Sequence, residues 1–143
     1  MRAWRICRAP YADLSGEGAR LYGGRWNAPG RSMLYAASDA ALAVLEVRVH
    51  LDLEPDLIPD DYVLMEIELG GVSVETVSDA PADPRKFGDA WLAEGRTAVL
   101  AVPSAIVPES RNFLLNPSHP DAGLAKLVSK RGFSFDRRLW LPM

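Results

Sequence analysis

Met33-Leu34-Tyr35-Ala36-Ala37-Ser38-Asp39-Ala40-Ala41-Leu42-Ala43-Val44-Leu45-Glu46-Val47 holds the two periodicities that set the fold class. Met33 to Ala37 is short and apolar enough for a buried strand. Ser38 reads as an N-cap, with Asp39 in the first turn of a helix running from Asp39 to about Leu51. Leu42, Leu45 and Val49, with Ala41, give that helix an apolar stripe at helical spacing. Pro55 and Pro59 bar its continuation.

Downstream, Tyr62 to Leu69 alternates: Val63, Met65, Ile67 and Leu69 on one face, Tyr62, Leu64, Glu66 and Glu68 on the other. That is a half-exposed strand ending at Gly70-Gly71. Val72 to Val77 continues as a second extended segment, and Asp79 to Pro84 reads as loop. Arg85 to Glu94 reads as a short helix ended by Gly95. Thr97 to Val102 is a buried strand stopped by Pro103, and Ser110 to Leu115 another, closed by Asn116-Pro117. Ala122 to Lys130 is expected to be a short helical turn and Phe133 to Leu141 a last strand. Upstream, residues 11–32 are rich in turn signals and read as one long structured loop, a feature that usually carries function. The mixture is α+β with more strand than helix, without the repeating βαβ order of a doubly wound sheet.

The chain has 143 residues, 48% hydrophobic and 24% charged, which fits one domain over residues 1–143 with its own core. Cys7 is the single cysteine and no Cys/His cluster exists, so a disulfide scaffold or zinc module is excluded. No apolar run approaches the ~20 residues of a membrane span, and Met1-Arg2-Ala3-Trp4-Arg5 does not resemble a signal peptide. The expectation is a soluble, cytoplasmic protein without a membrane partner.

The net charge of −3 conceals an asymmetry. Residues 1–38 are net +4, residues 39–94 net −11 and residues 95–143 net +4, and thirteen of the sixteen basic residues are Arg. Arg matches phosphate or carboxylate with a planar fork. Two Arg-rich ends could build one anion pocket if they meet in space. The alternative is surface Arg paired with the acidic middle. Direct nucleic-acid binding is disfavoured, since the whole is acidic and carries no basic run.

Three places could carry chemistry. Glu46 lies at the border of the apolar helical face, where a charge needs a partner or a pocket. Tyr22-Gly23-Gly24-Arg25-Trp26-Asn27 joins two glycines, which let backbone approach a ligand, to an Arg that can grip phosphate and a Trp that offers an apolar wall. Ser104 follows a buried strand and the Pro103 break, without a Gly-x-Ser-x-Gly elbow or a suitable His. Each has a plainer reading: a border carboxylate, a turn with a surface Arg, a turn serine. Tyr35, His50, His119, Trp4, Trp91 and Trp140 are most simply structural. No metal site is expected.

Taken together, the chain resembles the RES domain family. The resemblance runs through Trp4-Arg5-Ile6, Gly16 to Asn27, Leu34-Tyr35, Ala41 to Val47, Val102 to Pro108, Asn112 to Pro120 and Phe135 to Leu139, and is thin over residues 53–95. It implies a mixed-sheet, ADP-ribosyltransferase-like fold of the diphtheria-toxin kind. It also implies a toxin of a bacterial toxin–antitoxin pair that cleaves the nicotinamide–ribose bond of NAD⁺ by hydrolysis or phosphorolysis. The alternatives are an ADP-ribosyltransferase acting on a cellular protein and a catalytically inactive binding module. The resemblance carries the catalytic triad onto Arg25, Glu46 and Ser104, and places Tyr35, Arg25, Tyr22, Trp26 and Asn116 as substrate-binding. NAD⁺ is then a substrate and no cofactor is needed. The expected partner is a helix-turn-helix, Xre-like antitoxin, and a homodimer stays open.

Overall fold

Arg2–Arg8 forms β1, and both faces of this strand are covered. Ala3 and Cys7 face one core with Leu34, Ala36, Met65 and Ile67, while Ile6 faces a second with Ala37, Leu42, Ala43 and Leu64. The computed structural model describes residues 1–140. In chain order β1 is followed by α1 (Glu17–Tyr22), β2 (Leu34–Ala37), α2 (Ala40–Arg48), β3 (Tyr62–Glu68), β4 (Val74–Thr76), α3 (Pro84–Glu94), β5 (Val99–Pro103), β6 (Arg111–Leu115) and β7 (Lys126–Gly132). The strands make one mixed sheet in the order β4-β5-β6-β2-β1-β3-β7, with β4 parallel to β5 and the other pairs antiparallel. This is the expected single-domain α+β fold.

The sheet has two lobes. α3 packs Trp91 and Leu92 on the β5–β6 lobe with Trp26, Met33, Leu100, Val102 and Leu114. α2 packs Leu42 and Ala43 on the β1–β3 lobe. Each fully buried side chain of this size contributes about 1.5–3 kcal/mol relative to exposure. The lobes join weakly at the backbone. β1 pairs with β3 along its whole length and β2 with β6 along its whole length, but β1 and β2 pair only at Trp4–Ala37. Beyond that pair the strands part, and a wedge opens between the lobes.

Several local expectations shift. Asp39, not Ser38, caps α2, its carboxylate accepting the Leu42 N–H at 2.7 Å. The helix ends at Arg48 rather than near Leu51. α1 lies inside the stretch expected to be loop; the Arg20–Glu17 ion pair spans its single turn. Val72–Val77 shortens to β4. The helical turn expected over Ala122–Lys130 holds only at its start, where Ala122 to Leu124 end a 3-10 helix over Pro120–Leu124. The rest is overturned: Lys126–Gly132 is β7, which pairs with β3 as an edge strand. Lys126, Lys130 and Arg131 protect that exposed edge from further pairing. The last strand is overturned too. Phe133, Phe135 and Trp140 instead fold back in edge-to-face contacts that also involve Tyr62, and the Arg48 guanidinium sits 4.3 Å from the Trp140 ring centre. Leu141, the end of that expected strand, lies outside the described residues. Among the described residues no helix is long and apolar enough to cross a membrane.

Candidate active site

The wedge between the lobes is a cleft of about 950 Å³. Glu46 reaches it from the second turn of α2, and Arg25 and Tyr35 border it from the β2 side. The Ser104 Oγ donates to Glu46 Oε1 at 2.6 Å. The same Oγ accepts the backbone N–H groups of Ile106 and Val107, each at 3.1 Å. A hydroxyl has one proton, and the two N–H groups occupy its acceptor side, so that proton is committed to the carboxylate. The turn after β5 therefore fixes the serine, and the serine fixes Glu46. Ser104 is only 2% exposed and does not line the cleft. Its hydroxyl is turned to the Glu46 carboxylate and not to the cleft. Arg48 does not neutralise Glu46; it bonds the Leu139 and Leu51 carbonyls.

Arg25 is exposed and makes no ion pair among the described residues. Its backbone, by contrast, is held on three sides. The Tyr35 hydroxyl donates to Asn27 Oδ1 at 2.6 Å and accepts the Trp26 N–H at 3.0 Å. Arg85 donates twice to the Gly24 carbonyl, at 3.1 and 3.3 Å. Asp89 accepts the Ala28 N–H at 3.0 Å. The second glycine of the pair serves the fold itself: a Cβ at Gly24 would stand 2.6 Å from the Tyr35 hydroxyl. Gly88 does the same for α3, since a Cβ there would collide with the Trp26 carbonyl. Burial pushes the Tyr35 phenol up to about 12, so it stays protonated in its hydrogen bond to Asn27.

The other expected residues divide. Tyr22 lines the cleft as an exposed lip, and Trp26 is a buried wall packed edge-to-face on Phe87. Asn116 is not at the cleft. It follows β6, where its side chain accepts the Ser118 N–H at 3.0 Å and its own N–H bonds Ala98. Asn112, at the opposite end of β6, borders the cleft instead. Trp4 is half-buried and borders the cleft rather than filling the core, as does exposed His50; His119 caps a turn by accepting the Asp121 N–H.

Two further arginines line the cleft: Arg5, inside a strand and within the Trp4-Arg5-Ile6 segment of the resemblance, and Arg85, in the acidic middle where the resemblance is thin. With Arg25 they set three guanidiniums against the one carboxylate of Glu46 in the cleft wall. The pocket of arginines exists, but the C-terminal third does not complete it. Arg96, Arg137 and Arg138 pair with acids elsewhere, and Arg111 bonds the Val77 carbonyl. Arg2 and Arg8 pair with acids of the middle third, as the alternative reading expected.

A family profile described as RES domain matches residues 2–138. The chain is 43% identical over 141 residues to the Prs ADP-ribosylating toxin of Sphingobium sp. (strain YBL2), covering 89% of this chain and 86% of that one. It is 40% identical to the Toxin Res of Pseudomonas putida, covering 98% of this chain and all of that protein. Among solved structures, a chain of the M. tuberculosis MbcT–MbcA toxin–antitoxin complex superposes with a TM-score of 0.75 at 20% identity, covering 93% of this chain and 84% of that one.

Proposed function

The chain belongs to the RES domain family, and from that premise we propose that it is the NAD⁺-consuming toxin of a toxin–antitoxin pair, cleaving the nicotinamide–ribose bond by hydrolysis or phosphorolysis. The observation that carries this reading is the Glu46 carboxylate, aligned by Ser104 and facing an arginine-rich cleft.

Breaking a nicotinamide–ribose bond builds positive charge on the sugar, as in glycoside cleavage. A carboxylate held in advance stabilises that charge without reorganising at the moment of reaction. With Oε1 bound by Ser104, Oε2 remains to take the ribose hydroxyl and face the developing cation. The pyrophosphate is the anionic part of the substrate, and the guanidinium of Arg25, displayed on a fixed backbone, suits it. The Tyr35 hydroxyl proton is spent on Asn27, which leaves its ring as a wall for the nicotinamide. Tyr22 and Trp26 bound the same space.

A second reading is supported by the name of the Sphingobium relative: transfer of ADP-ribose to a protein from the same site. The partner we propose is a cognate antitoxin of the helix-turn-helix, Xre-like kind, in line with the toxin–antitoxin complex of the structural relative. The test is incubation of purified protein with NAD⁺ alone. Nicotinamide release without added protein supports consumption. Release only with a protein acceptor supports transfer. No release in either case sinks both and leaves a binding module.

A further inference from the structure

We propose that His50 is a further catalytic residue, the base that takes a proton from the water attacking the ribose as the nicotinamide leaves. The proposal rests on the NAD⁺ reading above and deepens its hydrolytic form.

α2 continues past Arg48 through backbone bonds: the Val49 N–H reaches the Leu45 carbonyl at 3.1 Å and the His50 N–H the Val47 carbonyl at 3.0 Å. His50 therefore stands about one helical turn beyond Glu46, and residues so spaced share a face. Both line the cleft, Glu46 half-buried in its wall and His50 exposed at its rim. The His50 imidazole makes no hydrogen bond among the described residues, whereas the other histidine is spent on a turn, its Nδ1 accepting the Asp121 N–H at 3.0 Å. Arg48, between Glu46 and His50 in the chain, is turned to the Leu139 and Leu51 carbonyls.

Hydrolysis needs a second proton acceptor beside Glu46. The C1′–N bond breaks with its electron pair passing to the ring nitrogen, which leaves nicotinamide neutral. A water oxygen bonds C1′, and one proton must go, since NAD⁺ and water give ADP-ribose, nicotinamide and H⁺. Glu46 is already engaged: Oε1 holds the Ser104 hydroxyl, and Oε2 is left for the ribose and its developing charge. The lining guanidiniums of Arg5, Arg25 and Arg85 accept no proton. A phenol, ordinarily near about 10, keeps its own proton at neutral pH. Burial raises the lining phenols of Tyr35 and Tyr62 further. What remains on the cleft wall is an imidazole, the side chain suited to accept a proton near neutral pH. Its exposure also lets it hand that proton straight to solvent. The two residues divide the work: Glu46 steadies the cation and His50 activates the water.

The test measures nicotinamide release from NAD⁺ in phosphate-free buffer by wild type, His50→Gln and His50→Glu, with and without sodium azide. Azide is an anionic nucleophile with no proton to lose, so it bypasses the base. With water alone, His50→Gln should be about 100-fold slower than wild type. Azide should raise its rate at least tenfold, and the product should carry azide at C1′. His50→Glu, which puts back a proton acceptor, should fall between wild type and His50→Gln. Hydrolysis by His50→Gln within threefold of wild type overturns the proposal, as does a loss that neither azide nor Glu restores. A wild type that releases nicotinamide only with inorganic phosphate, whose anion needs no base, also overturns it and keeps the NAD⁺ reading. A wild type that releases none with water, azide or phosphate sinks the NAD⁺ reading, and the proposal falls with it.

Discussion

The hydroxyl of Ser104 lies 2.6 Å from Oε1 of Glu46, although 58 residues separate them in the chain. Because two backbone N–H groups hold the same oxygen, the serine links the rigid end of β5 to the one carboxylate of the cleft wall. Ser104→Ala should therefore lose on two accounts. The N–H groups of Ile106 and Val107 lose their acceptor, lowering stability by about 1–3 kcal/mol. Glu46 loses a charge-assisted bond of about 1.5–3 kcal/mol, which is roughly 10–150-fold if it acts only in the transition state. Thermal unfolding and nicotinamide release, measured on one preparation, separate the two effects. Full turnover would remove Ser104 from the machinery.

Glu46→Gln should behave differently. The amide keeps the volume and still accepts from Ser104, so stability should change by no more than ~0.5 kcal/mol. The charge that meets the developing cation is gone, and turnover should fall by at least ~100-fold. A folded Glu46→Gln protein with wild-type nicotinamide release contradicts the assignment.

Much of this was legible before folding. The alternation of Tyr62 to Leu69 and the Gly95 stop are local signals, and they survive in the structure; of the expected α2 stripe only Leu42 is buried, beside Ala43, while Ala41, Leu45 and Val49 are exposed. β1 left no clean alternation because both of its faces are covered and Arg5 interrupts one of them. Leu124, just before β7, and Leu127 and Val128 within it stand at spacings that also suit a helix, and only pairing with β3 decides for strand. At the site, Glu46 announced itself as a charge on an apolar border. Arg85 could not, because its role is a bond to the carbonyl of Gly24, 61 residues away. Asn116 stood beside motif residues yet faces its own turn, since a side chain's neighbours in sequence do not set its direction.

Tyr35 ties stability to pH. Its phenol is pushed from 10.0 up to about 12 by burial, so the folded chain keeps a proton that the unfolded chain releases above pH 10. The corresponding stability is fully present below pH 10 and is lost as pH rises towards about 12. Two units correspond to about 2–3 kcal/mol. Tyr35→Phe should be less stable at pH 8, because Asn27 and Trp26 lose their partner, yet show a shallower decline between pH 9 and 11. Urea unfolding across that range tests it; parallel declines in the two proteins contradict the assignment.

Arg25→Lys tests whether the exposed guanidinium grips the substrate. Had Arg25 been paired with Glu46, a ligand would first have to break an ion pair and would gain little. No such pair exists among the described residues, because Glu46 is engaged by Ser104 and the Arg25 backbone is fixed by Tyr35 and Arg85. Lys keeps the charge but loses the two-pronged contact to phosphate, typically worth about 1.5–3 kcal/mol. That contact is made equally in the bound substrate and the transition state, so the loss should fall on KM and leave kcat nearly unchanged. kcat/KM should drop by at least about tenfold. The drop should also shrink for nicotinamide riboside, which has no phosphate to grip. A kcat/KM ratio within about threefold of wild type, less than ~1 kcal/mol, would show that Arg25 does not clamp the dinucleotide. The anion-binding role would then pass to the arginines beside it, with Glu46 and Ser104 unaffected.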